Sequence, residues 1–311
     1  MNPWLSDDGR LRPVWRFLLG ALAAFVANFL AIGIAESASH GRGRLLEAIY
    51  RPTTLLLLLA AFALLLIAVD QVHEGLPRAM GLGRFSGWLR QAGLGMAIGT
   101  ASVCVAVAWI AAAGDLAVKV GFGAHTLTLA LAVLFTLATG AMAEETMFRG
   151  YPFHRLLEAA PAPVAVVIMS ALFAAAHGGN PHASKLAMVN TFAISVLLCV
   201  AYLRTRALWL PWGIHFAWNA ALGTVFGLPV SGLTEFAVIV RTQARGPRWV
   251  TGGAYGIEGS VVGTIVILLA FAPLLLLTRK YQMENPHSVS PPRCASGQAP
   301  PGETRVGQPQ V

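Results

Sequence analysis

Eight apolar runs dominate the chain, at about 14–35, 53–69, 92–113, 126–144, 161–177, 186–203, 208–226 and 260–277. Most approach the ~20 residues that a helix needs to cross a ~30 Å hydrocarbon core. They are continuous, whereas a transmembrane barrel is written as short alternating segments. The pattern predicts an all-α polytopic membrane protein built as a bundle of about eight transmembrane helices.

The breaks between the runs have characters of their own. Residues 71–92 mix Pro77, Arg78, Arg84, Trp88 and Arg90 with apolar positions and glycines, the pattern of an interfacial segment. Gly178-Gly179-Asn180-Pro181 ends the fifth run as a breaker cluster. A long glycine-rich connection spans 227–259, and beyond Arg279-Lys280 the sequence turns to Pro, Ser, Gly and Gln. Residues 1–280 therefore read as one transmembrane helical domain, and 281–311 as a disordered C-terminal tail.

Composition sharpens this picture. The chain is 56% hydrophobic with only 12% charged residues, so each charge inside a run needs a reason. The net charge of +8 comes from arginines scattered between runs rather than clustered in a patch, which argues for membrane orientation and against nucleic-acid binding. With eight spans the two termini share a side. Basic residues number 14 on that side and 8 on the other by sequence count, so the termini are expected in the cytoplasm. High Ala, Arg and Gly content suggests a bacterial source, and hence the inner membrane. Cys104, Cys199 and Cys294 form neither a disulfide framework nor a CxxC zinc motif.

Three runs carry polar groups that an ordinary membrane helix avoids: Glu144, Glu145 and Arg149 in the fourth, His177 at the end of the fifth, and His215 with Asn219 in the seventh. Ionisable groups at membrane depth mark functional sites by default. Helical spacing lets Arg149 pair with Glu145, places Phe173 on the face that presents His177, and aligns His215 with Asn219. Glu144, about 100° around the helix from Glu145, is left free to face a cavity. A carboxylate and an imidazole suit the deprotonation of a water, and His215 with Asn219 suits a developing oxyanion. The set predicts a hydrolytic site for an amide or ester without a serine or cysteine nucleophile. Taken singly, each element has a plainer meaning: a helix-end ion pair, an interfacial histidine, interhelical hydrogen bonding. His182 adds a weaker candidate in the breaker loop.

The motifs Glu144-Glu145-x-x-x-Arg149, Phe173-x-x-x-His177 and His215-x-x-x-Asn219, in this order, resemble those of the CPBP (CAAX protease, or Abi) intramembrane endopeptidases of bacterial type. The resemblance covers about 92–277, taking in the glycine-rich stretch Trp249–Gly256. It implies an eight-helix bundle enclosing a membrane-embedded polar cavity. It also implies that Glu144 and His177 activate water, that His215 and Asn219 bind the oxyanion, and that Glu145, Arg149 and Phe173 support them. Substrates would be membrane-associated proteins or peptides. No cofactor is required by this mechanism, although zinc on Glu144, His177 and His215 is an open alternative. Two non-proteolytic readings remain, an immunity or scaffold protein of the same fold and a transporter. The second is disfavoured because paired half-helix interruptions are not evident.

Overall fold

A computed structural model describes residues 3–6, 9–40, 44–70, 80–83, 87–113, 116–123 and 126–279. The expected tail lies outside these, as does most of the interfacial segment. Every apolar run becomes a helix: α1 (Pro13–Ser39), α2 (Arg44–Asp70), α3 (Trp88–Ala112), α4 (Thr126–Arg149), α6 (Ala162–His177), α7 (Lys185–Thr205), α8 (Trp209–Ala220) and α9 (Val261–Leu277), with a further helix α5 (Tyr151–Ala159). Among the described residues, four stretches (α1, α3, α7 and the combined 126–159) are long and apolar enough to cross a membrane. Shorter apolar helices join them in an all-α polytopic membrane bundle.

Local chemistry sets the boundaries. Ser184 and Ser260 cap α7 and α9 by accepting from Ala187 N and Gly263 N, which satisfies amides that a helix start leaves open. Gly150 separates α4 from α5, because a side chain there would press on the Thr146 carbonyl. The α5 helix that follows pairs its charges against the bundle: Glu158 accepts from Arg155 at 2.6 Å and faces Arg16 at 3.6 Å. It was not predicted, since a nine-residue helix with mixed polarity gives no membrane-length signal. Helix α8 ends in a π-helical turn, Ala221–Val225, so the seventh run is one continuous element of two pitches.

Helices α3 and α8 pack backbone against backbone. Gly95 and Gly99 of α3 lie on the backbone of Leu210, Gly213, Ile214 and Trp218, and Gly213 lies on Ala92 and Met96. Small residues allow this approach where lipid supplies no hydrophobic drive between helices. A methyl at Gly99 would meet the Ile214 carbonyl, and backbone cannot swing aside. Gly99→Ala is therefore expected to cost about 1–3 kcal/mol, read as a lower thermal midpoint in detergent. Gly93→Ala, with nothing within 4 Å, should leave the midpoint unchanged.

The bundle has two distinct ends. Phe17, Phe148, Phe153, Tyr202 and Leu208 cluster at one, where Arg204 also bonds Thr278 at the end of α9. Both the start of α1 and the end of α9 lie there. The opposite end carries the loop after His177, the start of α7 and the connection 227–259. That connection is more than a loop. Its strand β2 (Val240–Ala244) pairs antiparallel with β1 (Leu116–Val120), from Leu116 opposite Ala244 to Val120 opposite Val240. The sheet is fastened to the bundle where Thr242 donates to the Gly227 and Phe226 carbonyls, with Gly227 in the left-handed region against Val240.

Candidate active site

A cavity of about 730 Å³ opens at this second end, within the size range of small-ligand sites. Glu144, His177, His215 and Asn219 all line it, together with Phe173. The structure thus collects residues from α4, α6 and α8 around one space.

The two glutamates have different surroundings. Glu145 and Arg149 are fully buried, and Arg149 Nη1 donates to Glu145 Oε1 at 3.1 Å. Arg149 Nη2 also donates to Ser195 Oγ at 2.5 Å and to the Ser195 carbonyl at 3.3 Å, and its guanidinium lies 4.5 Å from the Phe173 ring centre. Glu144 turns to the cavity, its side chain about one-third exposed (34%). Its Oε2 lies 3.8 Å from His177 Nε2 and 3.7 Å from His215 Nε2. Both separations exceed a direct hydrogen bond, so the carboxylate faces two imidazole nitrogens without bonding either.

The histidine tautomers follow from their second contacts. His177 Nδ1 lies 2.8 Å from the Phe173 carbonyl, which only accepts, so Nδ1 carries hydrogen and a neutral ring presents a bare Nε2. His215 Nδ1 lies 2.8 Å from Glu145 Oε1, which fixes the same orientation. Phe173 also lies against His177, tilted by 35° with ring centres 4.4 Å apart, and meets His215 edge-on at 6.2 Å. Helical i,i+4 geometry accounts for the contacts within α4 and α6, and the close α4–α8 packing for the Glu145–His215 contact.

A tied Nδ1 with a free Nε2 is also the usual habit of metal-ligating histidine. The donor chemistry suits zinc, but its ligand atoms, held ~2.0–2.1 Å from the ion, lie closer to one another than these do. Among the described residues no three His, Cys, Asp or Glu side chains are already drawn together to metal-binding distances.

Several lining residues were not singled out from sequence. Asn28 of α1 and Glu47 and Arg51 of α2 form one wall, although both helices precede the stretch of resemblance. Glu258, two residues before the α9 cap, lines the opposite part of the cavity. Its Oε1 accepts from Trp218 Nε1 at 3.2 Å, and its Oε2 from Ser231 N at 2.5 Å and Ser231 Oγ at 2.9 Å. Burial pushes its carboxyl up from the ordinary range, against the pull of the Ser231 and Trp218 donors and of His177. Trp218 is accordingly an interior residue, 1% exposed. The signal for Glu258 was the one that marked Glu144, an acid bordering an apolar run. His182 lines the cavity as well.

Residues 125–221 match the family model for Rce1-like proteins, described as type II CAAX prenyl endopeptidase Rce1-like. The match supports the CPBP/CAAX-protease family for this stretch of the chain. The matched CAAX-protease segment holds Glu144, Glu145, Arg149, Phe173, His177, His215 and Asn219, and omits α1, α2, the sheet and Glu258. Comparison with curated proteins and with solved structures finds no match. A CAAX-type intramembrane protease acts on peptide within the membrane, in keeping with a polar cavity among apolar helices.

Proposed function

We propose that the chain is an intramembrane glutamic endopeptidase cleaving membrane-associated proteins or peptides. The observation that supports this most is the Glu144 carboxylate facing two imidazole Nε2 atoms, each within 4 Å, at a cavity among apolar helices. A water held between Glu144 and His177 donates to both and keeps a lone pair for the scissile carbonyl carbon. As it attacks, its proton passes to Glu144, and the carbonyl oxygen gains the negative charge.

Asn219 and His215 stabilise that oxygen, which gives His215 a specific protonation state. Its Nδ1–H is committed to Glu145, so it donates from Nε2 only as imidazolium. The buried Glu145 then lies between two cations, Arg149 and His215. Breakdown of the tetrahedral intermediate returns the proton to the leaving amine as the C–N bond breaks.

The tied Nδ1 atoms support one second reading, a zinc ion on Glu144, His177 and His215. When bound it would supply Lewis-acid activation of the water. Hydrolysis that survives exhaustive chelation, with no metal in the purified protein, excludes it. The function itself is tested by comparing protein C-termini in cells carrying the native chain and Glu144→Gln. Termini that vanish in the variant identify substrates. Identical sets, with an unchanged cellular phenotype, leave the scaffold reading.

The proposed setting is the bacterial inner membrane with both termini cytoplasmic. Since the cavity opens at the other end of the bundle, its mouth then faces away from the cytoplasm. Thr234→Cys, exposed at the cavity rim, should take up an impermeant maleimide in intact cells, whereas native Cys294 should label only after permeabilisation. The reverse pattern inverts the topology.

A further inference from the structure

The proposed chemistry needs the imidazole of α6 and the His215–Asn219 face of α8 held at a fixed separation. Yet His177 is the last residue of its helix, where fraying is easiest. What secures it is a chain of hydrogen bonds outside the family motifs. Asn180, three residues on, donates from Nδ2 to the Ser231 carbonyl at 3.1 Å. Ser231 returns its N–H and its hydroxyl to Glu258 Oε2. Glu258 Oε1 takes the indole N–H of Trp218, the neighbour of Asn219. The link thus runs from the His177 loop to the helix bearing His215.

Three further features make Glu258 the fixed point of this link. Asn190 of α7 donates to the Glu258 carbonyl and to the Ser260 carbonyl, each at 2.8 Å, while its own Oδ1 accepts from Thr264 at 2.7 Å. Ser231 sits at φ +48°, a left-handed conformation uncommon without glycine, and the turn is held there by its bonds. Gly232 lies directly against the Pro181 carbonyl and donates to the Tyr255 carbonyl.

The side chain at 258 must also be a carboxylate. Three donors converge on it, and a carboxylate is acceptor-only. A glutamine would turn its NH₂ on either the Ser231 donors or the indole N–H, leaving a buried donor unmet.

We propose that Glu258 is a positioning residue of the site, the carboxylate that holds the Ser231 turn and the His177 loop in register with Trp218 and Asn219. The inference rests on the endopeptidase reading for its catalytic consequence but not for the link itself, so the two are measured separately. For the link, amide hydrogen exchange is followed by mass spectrometry on the full-length protein in nanodiscs. Glu258→Gln should speed exchange at least tenfold in both 178–184 and 229–236 and leave the interior of α7 unchanged. Faster exchange in 229–236 alone, or in neither segment, overturns the proposal.

For catalysis, the probe is a mixture of quenched-fluorescence decapeptides. Glu258→Gln should lower kcat about tenfold with KM within twofold, because the substrate wall remains while the reacting groups lose register. A rise in KM with kcat unchanged would make Glu258 a substrate contact instead and overturn the positioning role. If Glu258→Gln does not fold, Trp218→Phe and Ser231→Ala remove one donor each, and each should show the same exchange signature in smaller degree. If the native protein cleaves none of the peptides while the exchange result holds, the endopeptidase reading fails and the link stands.

Discussion

Glu144→Gln should abolish hydrolysis while leaving the fold intact. The amide matches the carboxylate in size but cannot take a proton from water, and positioned acid–base groups contribute roughly 10²–10⁴-fold to rate. Stability should hardly change, because Glu144 faces the cavity and its Oε2 makes no hydrogen bond among the described residues. The measurement is turnover of a cleaved peptide beside a thermal unfolding curve. Native turnover in a folded Glu144→Gln protein would remove Glu144 from the mechanism.

Its neighbour should behave in the opposite way. Arg149→Ala is expected to destabilise the protein by about 3–5 kcal/mol, the usual cost of breaking a buried ion pair from one side. The loss would leave Glu145 buried with only His215 as a partner, strip Ser195 of its donor and remove the cation beside Phe173. The expected observation is a large drop in the detergent unfolding midpoint and poor recovery of folded protein. Arg149→Lys should recover only part of it, because one ammonium cannot reproduce the forked contacts to Glu145 and Ser195. A midpoint unchanged in Arg149→Ala would refute the structural role. Adjacent residues on one helix thus separate by phenotype, one altering rate and the other altering folding.

How far the chain could be read in advance depends on the range of the interaction. The eight apolar runs were legible because a membrane span writes its length directly into sequence. The i,i+4 pairs Glu145–Arg149 and Phe173–His177 were legible because a helix makes such neighbours automatically, and the structure shows both contacts. The Glu145–His215 contact was not, because it depends on how α4 meets α8. Pairing of Leu116–Val120 with Val240–Ala244 was hidden for the same reason: neither strand has an apolar run to announce it. Glu258 belongs to neither a repeat nor a helical spacing, and only the fold brings Trp218 and Ser231 to it. The contribution of Glu47 and Arg51 arises from α2 packing beside α4, where Pro52 approaches Gly140.

The brevity of the helix that carries His177 has a consequence for the surrounding lipid. At 16 residues and 1.5 Å per residue, α6 spans about 24 Å, short of a ~30 Å hydrocarbon core. Lipid beside it must thin, or the helix end must draw headgroups and water inward. Acyl-chain length therefore becomes a variable of the protein itself. Short-chain bilayers match α6 and favour a hydrated cavity, whereas long-chain bilayers strain the contact around His177.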